Sequence, residues 1–351
     1  MRTGHMCGIA ALMICVAWGI CAIAFGDQTK PPLALIQTIA LPNVQGRFDH
    51  MAIDIKDGRL FLPAEEDHGV LAIDLRSGTL IKKIEGFVKA HAILYRPATG
   101  EFLVTDDDGS YKIFDAKTLT LKRTEHLTLN YADGIRYDTV TQYVYIVNVK
   151  KSSEDPEDQS YLAIVDTKTW RHIGDIPFKG GHVEEVAIEP SGSRFFICVA
   201  SRHEIGIVDR AKRAEIGAFP IPVPGLPYAA VMDEPNHRLF IALRRPEQLI
   251  VLNSDSGELV AKLPTAAGAD DIFYDVARKR IYISAGVASD PEGYISAYQQ
   301  LDADHYEPFA KIPTGSASAT SLLVPDLNRY FVAAQRKDRK DAELQVYQIN
   351  P

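Results

Sequence analysis

Acidic, imidazole or phenolic side chains recur at one fixed offset along this chain. Asp49, His91, Asp133, Glu184, Tyr228 and Asp270 lie ten residues before Arg59, Glu101, Tyr143, Arg194, Arg238 and Arg280, and Ala319 stands in the same relation to Arg329. One residue further on, the set reads His50, Ala92, Gly134, Glu185, Ala229, Asp271 and Thr320, and His182 precedes Glu184 by two. Carboxylates gathered around one opening repel one another, and a proton or a bound cation relieves the penalty. Carboxylate with imidazole suits zinc, manganese or iron, whereas an all-oxygen subset suits calcium. The expected ligand-binding set is therefore Asp49, His50, His91, Asp133, His182, Glu184, Glu185, Tyr228, Asp270 and Asp271. Within it, Asp49, His50, His91, Asp133, Glu184 and Asp270 are the candidate ligands of a divalent cation, and no catalytic residue is assigned. The plainer reading of the same residues is that strand-entry acids cap turns and that Arg47 and Arg136 neutralise the rest as ordinary ion pairs.

Residues so far apart meet only if matched segments are wound about a common axis, and the chain has such segments. A run of apolar-x-Asp, a short turn, an apolar triplet and then apolar-x-apolar-Asp returns about every 40 to 50 residues, a period that marks propellers and solenoids. It reads AIDIKDGRLFLP then VLAIDLRSG in the first copy, AIEPSGSRFFIC then IGIVDRAKR in the fourth, and FYDVARKRIYIS then YISAYQQ in the sixth. Short runs of Val, Ile, Leu, Phe and Tyr bounded by Gly, Asp, Asn and Pro predict strands, four per copy. The fold class expected is all-β, a seven-bladed β-propeller of four-stranded blades. In the first blade the strands are expected at residues 50–55, 59–64, 70–75 and 80–84. The last copy lacks a fourth strand, so LALIQTIAL (Leu33 to Leu41) is expected to pair there and close the ring, which removes open sheet edges. Strand alternation puts the loops entering the first strand, and those joining the second to the third, on one face, here called upper. Those loops are the long or charged ones: Glu65 to His68, Asp106 to Asp108, the insertion Lys150 to Gln159, Ala288 to Glu292 and Arg336 to Lys340. Binding sites sit preferentially on loops carried by a rigid scaffold, so the upper face is the expected site, taking a small molecule or a protein.

Residues 1–26 read as a signal peptide, with Arg2, an apolar run and a small-residue exit at Ala22-Ile23-Ala24, leaving 27–351 as one propeller domain. A retained membrane anchor is the competing reading of that run. Cys7, Cys15 and Cys21 lie inside it, so Cys198 stands alone and has no internal disulfide partner. The expected location is periplasmic or secreted, the expected state a monomer. With 46 acidic against 38 basic residues the formal net charge is −8, which disfavours electrostatic capture of nucleic acid. The chain carries no G-x-S-x-G elbow, glycine-rich phosphate loop, H-E-x-x-H or C-x-x-C-H motif.

The stretches RLFLP, VLAIDLRSG, RLFIAL, LIVLNSDSGELVAKL and ADDIFYDVARKRIYIS resemble the YncE-like branch of the YVTN-type bacterial β-propellers, over residues 33–349. The resemblance implies a seven-bladed propeller in the periplasm or outside the cell, most often without an established reaction. One member of that branch is associated with single-stranded DNA, but here the mouth is acidic and stacking platforms beyond Tyr131, Tyr228 and Tyr274 are not evident. Three functions follow as expectations. The first is a non-enzymatic binding scaffold with a ligand or divalent-cation site at the acidic mouth. The second is a lactonase-like hydrolase or a lyase of the virginiamycin B lyase type, using a rim metal and His50, His91 or His182. The third is a structural cell-envelope module that binds through its insertion loop.

Overall fold

A computed structural model describes Met1, residues 30–337 and residues 341–351. The expected signal segment, and with it Cys7, Cys15 and Cys21, lies outside the described residues, as do residues 338–340 of the last upper loop. Residues 31–351 form one compact unit of seven four-stranded antiparallel sheets. Six sheets use four consecutive strands, spanning residues 52–85, 90–126, 131–179, 183–220, 226–264 and 269–313, here blades 1 to 6. Blade 7 takes three strands from the far end of the chain, Ser321–Val324, Arg329–Ala334 and Ala342–Ile349, and its outermost strand is Leu33–Leu41. Leu33 pairs with Ile349 and Leu41 with Ala342, so the expected closure is present.

Each of the seven register positions, Arg59, Glu101, Tyr143, Arg194, Arg238, Arg280 and Arg329, is the first residue of its blade's second strand. That strand is apolar without alternation because both of its faces are covered. In Arg194–Val199, Phe195, Ile197 and Val199 pack towards blade 3 while Phe196 and Cys198 pack towards blade 5. Seven apolar clusters result, one at each junction between neighbouring blades. Cys198 is fully buried in one of them, and burial pushes its thiol up, away from the reactive thiolate.

The Asp that ends the third strand in blades 1 to 4, replaced by Asn253 in blade 5, has a local task. Asp74 accepts from the backbone N–H of Arg76 and Ser77, Asp115 from Lys117 and Thr118, Asp166 from Lys168 and Thr169, and Asn253 from Asp255 and Ser256. These are Asx turns, which satisfy backbone donors where the chain reverses on the lower face. In blade 1 the innermost strand is Ala52–Asp54, three residues shorter at its ends than expected. Phe48 bridges to Ala64 instead, and Asp49 accepts from the His50 N–H, so the chain pairs, steps out, and pairs again.

Candidate functional site

In blades 2 to 6 the pairing of the innermost strand with the second slips at the strand entrance. The slip falls between Ala90 and Ile93, Ala132 and Ile135, Val183 and Val186, Pro227 and Ala229, and Ala269 and Asp271. His91, Asp133, Glu184, Tyr228 and Asp270 are therefore bulge residues, released from the ladder and aimed at the channel. A bulge redirects a side chain in this way at a fixed place on a rigid sheet. The backbone freed by the slip is re-satisfied between blades: the Thr105 hydroxyl donates to Asp133 O and accepts from Ala92 N, and Ile93 N donates to His50 O.

With Asp49 from the equivalent step in blade 1, all six side chains line one chamber of about 240 Å³ at the upper end of the channel. His50 and His182 line it too. Glu185 and Asp271 do not, since Glu185 pairs with Arg136 and Asp271 accepts from His50 Nδ1 (2.9 Å) and Ser321 N (2.7 Å). The chamber is smaller than the roughly 300–1,000 Å³ usual for drug-sized ligands, so it suits an ion or a small polar group.

Further lining residues come from a second position that the reading above did not use. Six residues after each register position stand Glu65, Asp107, Val149, Ala200, Arg244, Gly286 and Gln335. All except Ala200 line the chamber or the two cavities that adjoin it, all three of which share Arg47. The same count used for the strand entrances, run forwards to the end of the second strand, finds them. His68 and His203, possible rim residues by their upper loops, sit at left-handed turn positions and are not among the lining residues.

Charge in the chamber is unevenly compensated. Asp270 is held by Arg47 (3.2 Å) and by Arg244 (2.7 Å), whose guanidinium also stacks on Tyr228. Glu65 faces Arg47 at 3.3 Å and Lys89 at 3.5 Å. Burial would push Asp49 up, but His50, His91 and Arg47 together outweigh it and hold this carboxyl below the usual range. Burial works against charge on both imidazoles, yet the carboxylates around them, Asp271 and Asp49 for His50, Asp107 and Asp49 for His91, hold both well above the ordinary value. Among the described residues, Asp133 has no cation within ion-pair distance and only the Tyr131 hydroxyl, at 3.0 Å, as a side-chain partner. Burial first, then the neighbouring Asp49, pushes Asp133 up; burial and then Asp133 push Glu184 up; burial and Asp49 push Glu65 up to about 7. His91 Nδ1 is bonded to Asp49 Oδ2 at 2.9 Å, while its Nε2 is buried with no hydrogen-bond partner, Asp107 Oδ1 being 3.7 Å away.

The insertion Lys150 to Gln159 is docked on this rim. His182 bonds Glu184 through Nε2 and Glu154 through Nδ1 (2.8 Å), Lys151 reaches Asp107 (2.6 Å), and Gly181 N donates to Asp155 O (2.8 Å). The hydrogen bond to Glu184, then that to Glu154, raises His182 to about 9 against burial. A raised imidazole contributes a clamp that is complete below its free value of about 6.5 and lost as pH rises through about 9. His182→Gln is expected to speed tryptic cleavage after Lys150 and Lys151 at pH 7, with wild type and variant converging above the His182 transition. Equal cleavage rates at pH 7 would show that the clamp does not hold the loop.

No family model matches the chain. Among characterised proteins it is similar to Antigen Lp49 of Leptospira interrogans serogroup Icterohaemorrhagiae serovar copenhageni (strain Fiocruz L1-130), at 24% identity over 315 residues, covering 84% of this chain and 65% of that protein. The chain thus spans just under two thirds of that relative's length. Among solved structures it is similar to a chain in the crystal structure of the Mitotic Checkpoint Complex, with a TM-score of 0.74 and 12% identity, covering 98% of this chain and 99% of that one. At such identity the likeness carries the propeller fold alone.

Proposed function

We propose that this seven-bladed propeller is an exported, non-enzymatic binding scaffold whose upper channel mouth takes a divalent cation or the cationic end of a small polar ligand. The observation that carries the reading is Asp133. It is a carboxylate at the chamber wall with no positive partner, facing Asp49, Glu65, Glu184 and Asp270 across the same chamber. Proton uptake relieves part of such repulsion, in line with the raised Asp133 and Glu184, and a bound cation removes it. Export is supported by the apolar opening run and by the relative's designation as an antigen. Placement near the YncE-like branch is supported by the repeat pattern and the seven blades.

The test is thermal denaturation with Ca²⁺, Mn²⁺, Zn²⁺, choline and spermidine as probes. A probe at a hundred times its dissociation constant stabilises the native state by about 2.7 kcal/mol. In Asp133→Asn, which leaves the Glu184–His182 bond intact, that gain is expected to vanish, while the variant without any probe becomes more stable than wild type by about 0.5–2 kcal/mol, the usual gain from one stabilising substitution. An Asp133→Asn variant that loses stability, or that keeps the full probe response, overturns the reading.

The enzymatic alternative draws on one feature, the Asp49–His91 pair, in which a carboxylate orients an imidazole as a general base requires. The central chamber has no Ser, Thr or Cys among its lining residues to act as nucleophile. Turnover of a lactone that is abolished by His91→Gln would replace the scaffold reading.

A further inference from the structure

We infer that the mouth holds a single first-row divalent transition-metal ion, of the zinc or manganese class, on His91 Nε2 and Glu65, with Asp49 fixing the imidazole. This rests on the ligand reading above and names the ligand. Among the described residues, Asp49, Glu65 and His91 form the one group of three whose ligand atoms all lie within 4.8 Å of one another. All three are buried, at 5%, 5% and 4% exposure.

The independent observation is the buried, unpartnered His91 Nε2. When Nδ1 donates its proton to Asp49, the neutral ring presents Nε2 as a buried lone pair with no donor to accept from. A metal ion satisfies that lone pair and draws on the negative charge of Glu65 and of Asp107, 3.7 Å from Nε2.

Asp49 is committed elsewhere. Its Oδ2 takes His91 Nδ1 and its Oδ1 takes the His50 N–H at 2.9 Å. A carboxylate on the far nitrogen of a ligating imidazole fixes its tautomer and orientation, and such partners are a regular part of histidine metal sites. Glu65 can turn towards the ion without stranding its two cations, because Arg47 keeps Asp270 and Lys89 keeps Glu66 as second partners. Of the other expected ligands, His50 is engaged with Asp271, Asp270 with two arginines and Glu184 with His182, while Asp133 is not in the group of three. A nitrogen donor among oxygens selects zinc or manganese over calcium, which takes six to eight oxygens.

The experiment is calorimetric titration of the tag-free, EDTA-treated full chain with ZnCl₂ and separately with CaCl₂, alongside zinc K-edge absorption on the loaded wild type. One zinc per chain is expected, with a nitrogen and oxygen shell at about 2.0–2.2 Å that includes one imidazole. His91→Gln is expected to abolish zinc uptake. Asp49→Asn, which leaves the ligating atoms in place, is expected to weaken it by about 10–100-fold. Circular dichroism and melting curves check that each variant folds. Should His91→Gln not fold, the absorption spectrum decides, since a shell without imidazole overturns the inference. It is also overturned by zinc affinity unchanged in both variants, or by no uptake at millimolar zinc. Absence of zinc uptake by the wild type, with calcium, choline or spermidine still stabilising it through Asp133, sinks the metal assignment and leaves the wider reading standing.

Discussion

Without residues 31–41 the propeller is expected to lose stability and aggregate, and the missing strand added back as a free peptide is expected to restore it. The strand Leu33–Leu41 contributes more than the hydrogen bonds along Ala342–Ile349. Ile39 and Leu41 enter the apolar cluster between blades 7 and 1, with Leu60, Leu62, Leu71 and Ile73. Leu33 enters the one between blades 6 and 7, beside Tyr282 and Tyr330. Its backbone is tied further by Asn350, whose N–H and side-chain amide donate to Pro32 O and Pro31 O. Without it, Ala342–Ile349 becomes an open edge flanked by apolar faces, a template for pairing with other copies. Rescue by a peptide of residues 31–43 is strand addition to that edge. A point substitution isolates the packing part: Ile39→Ala is expected to cost about 2–5 kcal/mol. Sedimentation and denaturant melts check both. A truncated chain that sediments as the full chain does, with an unchanged midpoint, would mean the ring is held shut without this strand.

Asp106→Ala is expected to destabilise the protein by about 3–5 kcal/mol, the usual cost of stranding one partner of a buried ion pair. Asp106 is fully buried and accepts from the backbone N–H of Val88, Lys89 and Asp107 at 3.0, 2.8 and 2.8 Å. It also receives the ammonium of Lys112, itself buried. Blade 3 supplies a natural control at the equivalent position. There Asn148 accepts from Leu129 N and donates to Leu129 O and Tyr131 O, doing the same tethering without charge. Asp106→Asn should therefore fall between wild type and alanine, keeping an acceptor but leaving Lys112 uncompensated. Asp106→Ala, Lys112→Met should recover part of the loss. Equal losses for the asparagine and alanine variants would show that the ion pair, not the tether, dominates; a loss below about 1 kcal/mol for alanine would refute both.

The blade count, the closing strand and the convergence of Asp49, His91, Asp133, Glu184, Tyr228 and Asp270 were legible because a repeat makes distant positions comparable. What was not legible is instructive in each case. The bulges that free His91 or Glu184 depend on which residues pair across the hairpin, and alternation within one strand carries no trace of that. Glu65 and Asp107 look like solvated loop residues in Glu65-Glu66-Asp67 and Asp106-Asp107-Asp108, yet they are 5% and 6% exposed. Their burial is tolerated because Arg47 and Lys89 face one and Lys151 the other, partners set by the ring and not by local composition. The insertion at Lys150 reads as a mobile tip from its charge alone, and its fastening by His182 lies across the gap between two blades.

Apart from Val149, the hairpin-end residues that build the mouth lie outside the seven apolar junctions. Blades 1, 2 and 5 each offer the centre two polar side chains, Asp49 with Glu65, His91 with Asp107 and Tyr228 with Arg244, one at the strand entrance and one where the second strand runs out, and none of them belongs to a junction. Recognition and folding are thereby written in separate alphabets. New specificities are open to exchange of these paired letters blade by blade, while the interlocking sheets beneath stay as they are.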